Sequence, residues 1–204
     1  MGSLLLGACS VVGIRGGTPQ PPYAVVQRIG TGDTAIEIRR YGPRPAAECT
    51  ETGTEIDARY SGFRRLAGFI FGGNAADKHL AMTAPVVQAP ATVTMTESAA
   101  TPDGRWIIRF YLPEGVTPAN APKPHDDSIR LLTLPAATVA VLRFSGSPDA
   151  NAVARHKQML LDELRGTGWA PDGTPSAAFY DPPWTLPPLR RNEVSVPVEK
   201  RAQP

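Results

Sequence analysis

Few residues in this chain combine the type and spacing that covalent chemistry demands. The three histidines, His79, His125 and His156, are scattered, and neither Cys9 nor Cys49 lies in a CxxC pair or beside a histidine. That removes the usual metal-ligand patterns. There is no HExxH, no nucleophile elbow and no glycine loop of the kind that cradles phosphate. Glu48 and Glu97 could work as a general acid or base if a folded interior held them away from water. Two other features carry more information. Ile56, Tyr60, Phe63, Ala67 and Ile70 recur at helical spacing. Such a stripe is usually core, so Phe63 and Ala67 are expected to be buried. Phe69 falls on the opposite face, with Gly62, Arg65 and Leu66, and is expected at a second packing surface. The second feature is Asp181-Pro182-Pro183-Trp184, where two fixed φ angles make a stiff arm with an aromatic tip.

The elements that must position these residues are legible in outline. Alternating, β-branched segments predict strands over 23–29, 35–41 and 46–52, then a helix starting after Thr54 and stopping at Gly72-Gly73-Asn74. Further strands are expected over 82–89, 92–97, 105–112, 129–134 and 138–144. A second helix is expected over 150–165 with Val153, Leu160 and Leu164 on one face, followed by short strands near 176–180 and 193–198. Two helices cannot cover that many strands by packing on each other, so both should lie on a curved antiparallel sheet in an α+β domain. Each half of the chain runs strand, Pro-containing turn, strand, helix, return strands, which suggests a pseudo-twofold repeat. The hydrophobic share of 42% suits one ordinary domain, and the formal charge of +2 gives no basic surface for nucleic acid. No apolar run is long enough to span a bilayer.

Three segments resemble the SOUL family of haem-binding proteins in order and spacing. They are residues 36–43, ending Arg40-Tyr41-Gly42-Pro43; Gly62-Phe63-Arg64-Arg65-Leu66-Ala67-Gly68-Phe69-Ile70-Phe71-Gly72-Gly73-Asn74 with Met82-Thr83-Ala84-Pro85-Val86; and Tyr180-Asp181-Pro182-Pro183-Trp184 with Arg190-Arg191-Asn192-Glu193. The resemblance implies a distorted antiparallel β-barrel of about eight strands flanked by two α-helices. It also implies haem or another tetrapyrrole held non-covalently in a shallow apolar site beside the first helix, closed by the Tyr-Asp-Pro-Pro loop. Carried over by position, Tyr60, Phe63, Ala67 and Phe71 would floor that site, with Tyr180 and Trp184 over it. The family's basic positions on the helix fall on Tyr60 and Gly68, a departure for which Arg64, one turn from each, is the nearest substitute. Arg59 and Arg65 are expected in solvent, and Arg190, Arg191 and Glu193 in an ion-pair network. If the iron takes a protein ligand, His79 is the nearest histidine, with Met82 and Tyr180 behind it.

The start, Leu4-Leu5-Leu6-Gly7-Ala8-Cys9-Ser10, resembles a bacterial lipobox with Cys9 as the acylated residue. On that reading residues 1–22 are signal and tether, 23–199 the binding domain and 200–204 a tail. The protein would sit in the cell envelope or periplasm, touching the membrane only through the lipid; the alternative is a ragged cytoplasmic N-terminus. Three functions compete at this point: a tetrapyrrole carrier, buffer or sensor; a binding module for another amphipathic small molecule; and a hydrolase using a buried carboxylate.

Overall fold

The computed structural model describes residues 18–32, 35–91 and 104–201. The strands are β1 (Tyr23–Ile29), β2 (Ile36–Tyr41), β3 (Arg44–Thr52), β4 (Val86–Pro90), β5 (Arg105–Tyr111), β6 (Arg130–Leu134), β7 (Ala137–Phe144), β8 (Trp169–Pro171), β9 (Ser176–Phe179) and β10 (Asn192–Lys200). The helices are α1 (Glu55–Ile70) and α2 (Ala150–Glu163). One sheet runs in the order β1-β2-β7-β10-β9-β4-β5-β3-β6, with β8 paired to the end of β10 and every pairing antiparallel. Its two ends, β1 and β6, are not paired with each other among the described residues. The expected barrel is therefore an open, curved sheet.

Alternation along each strand sorts side chains onto two faces. Ile36, Ile38, Ala140, Leu142, Val194 and Val196 point one way and pack on Val153, Leu160 and Leu164 at α2. Ala47, Cys49, Ile108 and Phe110 point the same way and pack on Leu66, Phe69 and Ile70 of α1. Both helices thus cover one face, as the strand count required. Across the gap between them, Lys157 Nζ on α2 lies 4.0 Å from Glu55 on α1. The opposite face carries Arg39, Tyr41, Arg44, Glu48, Arg109, Val139, Glu193 and Ser195.

Boundaries moved where local signals were outweighed. Residues 82–85 are not strand; the chain turns through a cis Ala84–Pro85 bond before β4 begins. The short β8 was not anticipated, because three residues leave no visible alternation. The strand expected over 92–97, with Glu97, falls outside the described residues, as does Cys9.

Candidate ligand site

Helix α1 is built as its sequence requires. The Thr54 hydroxyl accepts the Asp57 N–H, and Asp57 and Glu55 place negative charge at the positive end of the helix. Its buried residues are Ala58, Gly62, Leu66, Phe69 and Ile70. Gly62 sets how closely the helix approaches β5, since a Cβ there would sit 2.4 Å from Ile108 Cγ1. Along one flank Arg65 ties the helix down, donating to Glu51 at 2.7 Å, Asp126 at 2.6 Å and the Ser128 hydroxyl at 2.8 Å. Arg59 lies over the Phe179 ring at 4.2 Å and donates to the Pro148 carbonyl. Neither arginine is the solvated residue expected, because each has a fixed partner beside the helix.

The other face of α1 overturns the expected core stripe. Tyr60 is 48% exposed, Phe63 37% and Phe71 53%. Ala67 is half-buried, while Arg64 and Gly68 are exposed. Phe69, expected off the core, is fully buried in it. At 100° per residue the two sets lie on opposite sides of the helix, so α1 has two apolar faces and the sheet takes only one. The Phe63 ring still leans on Phe110, with centroids 5.5 Å apart. Gly68 leaves a gap in the exposed face, with nothing within 4 Å of where its Cβ would be. Arg64 stands beside that gap and pairs with no carboxylate among the described residues. Tyr60, Phe63 and Phe71 thus leave a third to a half of their surfaces in solvent on one side of α1, forming an exposed apolar patch.

The end of α1 delivers a histidine to this face. Gly72, at φ 110°, stops the helix. The buried Asn74 amide donates to the Phe69 and Lys78 carbonyls at 2.9 and 2.8 Å, and its oxygen accepts the Lys78 N–H. The chain is folded back so that Leu80 N–H reaches the Ile70 carbonyl and His79 bridges Phe71. The exposed His79 ring lies 6.4 Å, centroid to centroid, from the Phe71 ring. His125 also reaches the end of α1, where its backbone N–H donates to the Gly73 carbonyl at 3.1 Å, whereas His156 stacks on Phe144 at 4.0 Å while bonding the Ala152 carbonyl. Among the described residues no cluster of His, Cys, Asp and Glu could hold a bare metal ion.

The Pro-Pro arm divides the residues expected above the helix. Asp181 accepts the Arg191 N–H at 2.7 Å, and Thr185, which is buried, closes a turn onto the Pro182 carbonyl. Arg190 donates to the Thr185 carbonyl at 2.7 Å and to that of Pro183, so it staples the arm, and among the described residues it does not join the expected ion pair of Arg191 and Glu193. Trp184 stands 64% exposed at the tip, with Leu186 and Leu189 exposed behind it. The arm meets the first half of α1 through the turn after β7, where the Gly146 N–H donates to the Pro187 carbonyl at 2.9 Å and the Pro148 carbonyl accepts from Arg59 at 3.0 Å. Tyr180 does not join the helix. It lies on the opposite face of the sheet, where its hydroxyl donates to Glu193 at 2.7 Å and Arg191 covers its ring at 3.8 Å.

That opposite face holds a charge network of which only the Arg191–Glu193 pair was legible. Glu193, 3% exposed, accepts two hydrogen bonds from Arg39 at 2.8 and 3.1 Å and two from Arg191 at 3.0 and 2.7 Å. Burial alone would raise the Glu193 pKa, but Arg39, Arg191 and the Tyr180 hydroxyl hold it below the ordinary value. Glu48 is tied likewise to Arg109 and Arg130. A carboxylate held in this way does not offer the open lone pair that a general base needs.

The sequence profile of the SOUL heme-binding proteins matches residues 18–197. The chain belongs to the SOUL haem-binding protein family. A SOUL relative, heme-binding protein 2 of the mouse (Mus musculus), is 29% identical over 151 residues, covering 72% of this chain and 70% of its own length. The EcmrR C-terminal domain matches this SOUL chain with a TM-score of 0.60 at 13% identity, covering 81% of the chain and 98% of that domain. A hydrolase from Listeria innocua matches with a TM-score of 0.52 at 11% identity, over 80% and 91% of the two chains. These two likenesses concern the fold alone.

Proposed function

We propose that this chain binds haem or another tetrapyrrole non-covalently on the exposed apolar face of α1. The observation that supports it is the second apolar face itself, with Tyr60, Phe63, Ala67 and Phe71 around the gap at Gly68. A flat macrocycle can lie across the gap while Arg64 meets a propionate bidentately at its edge. Trp184, at the tip of the stapled arm, would cover the ring from the side. Tyr180 orients that arm from beneath and is not a contact in this reading. The bound group would supply its iron, and His79, whose ring lies beside Phe71, is our candidate to ligate it. The family profile and the mouse relative support the ligand class. Hemin titrated into the full chain should give a saturable Soret shift near one equivalent, and Phe63→Asp should weaken it at least tenfold. A flat titration to tens of micromolar would refute the reading.

A different amphipathic ligand is the second reading, favoured by the absence of basic residues at Tyr60 and Gly68; competition with hemin separates the two. We further propose that Cys9 is acylated, placing the protein at the cell envelope, where a solvent-facing apolar site could take up, store or report a tetrapyrrole. Labelled palmitate entering the wild-type chain but not Cys9→Ser would support this, and equal labelling would exclude it. The sheet order, β4-β5-β3-β6 on one side and β9-β10-β7-β2 on the other, is compatible with a duplicated half.

A further inference from the structure

On the sheet face away from the helices, a cavity of about 250 Å³ lies among Tyr41, Arg44, Arg109, Tyr111, Val139 and Ser195. We propose that it is a second binding site, for a small amphipathic anion, with Arg44 as its charge partner. At about 250 Å³ it lies just below the roughly 300–1,000 Å³ of pockets that hold drug-sized ligands, which suits a small ligand of one or two rings.

The sign of the ligand follows from which charges are already spent. Glu193 at the wall is saturated by Arg39, Arg191 and Tyr180. Glu48, behind Arg109, is held by two guanidiniums. A cationic ligand would find both carboxylates occupied. Arg44 is the opposite case. Its guanidinium lies between the rings of Tyr41 and Tyr111, at 4.5 and 5.8 Å from their centroids, and no carboxylate pairs with it among the described residues. Its Nε is buried with no hydrogen-bond partner. Buried donors of this kind are normally satisfied, and a planar guanidinium is matched best by a carboxylate or a similar oxyanion. Val87, Val141 and Pro197 give the remaining wall an apolar part that suits a compact hydrocarbon or aromatic body, beside the polar Gln20, Thr174 and Ser176.

The test is calorimetric titration of the full chain with three probes of one shape: 2-naphthoate, 2-naphthamide and 2-naphthylmethylammonium. The anion should bind at one equivalent, and the cation roughly tenfold more weakly or worse. Arg44→Gln should lose roughly tenfold of naphthoate affinity and Arg44→Lys should recover part of it, with circular dichroism confirming the fold of both. Because hemin also carries carboxylates, naphthoate is titrated again into hemin-saturated protein, where its affinity should be unchanged. Equal or tighter binding of the cation, an Arg44→Gln protein that binds naphthoate normally, displacement by hemin, or no heat from any probe at millimolar concentration would each overturn the proposal. The probe comparison on the unaltered protein decides the matter even if both Arg44 variants fail to fold.

Discussion

Two glycines of α1 should respond in opposite ways to the same substitution, and that contrast tests the proposed site. At Gly68 an added methyl meets nothing within 4 Å, so Gly68→Ala gains only helix propensity, about 0.8–1 kcal/mol. At roughly 2–4 °C per kcal/mol for a domain of this size, the apo protein should melt about 2–4 °C higher. At Gly62 the methyl would sit 2.4 Å from Ile108 Cγ1 and 2.6 Å from Ile108 Cβ, in a core residue that cannot withdraw. Overpacking of about 1–3 kcal/mol then outweighs the propensity gain of about 1 kcal/mol, so Gly62→Ala should be destabilising by up to about 2 kcal/mol. Gly68→Leu extends the argument to function. A helical leucine leans toward the N-terminus, over Arg64, and would fill the gap where a macrocycle lies. It should therefore stabilise the apo protein by roughly the same propensity gain while weakening hemin at least tenfold. Urea unfolding gives the stabilities and Soret titration the affinities. A Gly68→Leu protein that is more stable and binds hemin as well as the wild type would refute the placement of the ligand across this gap.

Removing the buried carboxylate in Glu193→Gln strands Arg39 and Arg191 and should cost on the order of 3–5 kcal/mol in urea unfolding. The same carboxylate has a lowered pKa in the fold, so its contribution is complete above about 4.5 and is lost as the pH falls below that. Stability measured from pH 6 to pH 3 should therefore drop more steeply in the wild type than in Glu193→Gln. Cys49 is buried, and burial, then the charge of Glu51, pushes its thiol up to about 12. In the Cys9→Ser protein, where it is the one thiol left, it should resist aromatic disulfide reagents at pH 8 until urea unfolds the chain, and rapid labelling of that native protein would contradict its place under α1. If His79 ligates the iron, His79→Ala should change the Soret position and the ferric spin state while lowering affinity only modestly; an unchanged spectrum would remove it as a ligand.

How much of this was legible in the sequence varies with the range of the signal. The α1 boundaries were readable because Thr54 and Gly72 act locally. Helical periodicity also grouped Tyr60, Phe63 and Ala67 correctly. It could not say which of two apolar faces the sheet would take. The clue was Gly62, where only a missing side chain lets the helix approach Ile108 on β5 so closely. Tyr180 was misplaced relative to the helix because strand parity, set by its pairing with β10, turns it to the other side of the sheet. The Arg39–Glu193 pair joins residues 154 apart, and only the alternation of Glu37, Arg39 and Tyr41 along β2 hinted at a polar face. The empty side of Arg44 had no sequence signal at all, since it depends on which carboxylates other strands had already committed.

The central claim is where the tetrapyrrole lies. Ferric hemin broadens nearby amide resonances, so a two-dimensional spectrum of the labelled protein with substoichiometric hemin maps the site directly. Selective loss of the Tyr60, Arg64, Ala67, Gly68 and Phe71 signals is the predicted result. Broadening centred on Val139, Val141 and Ser195 of the opposite face, or no selective loss anywhere, would contradict it.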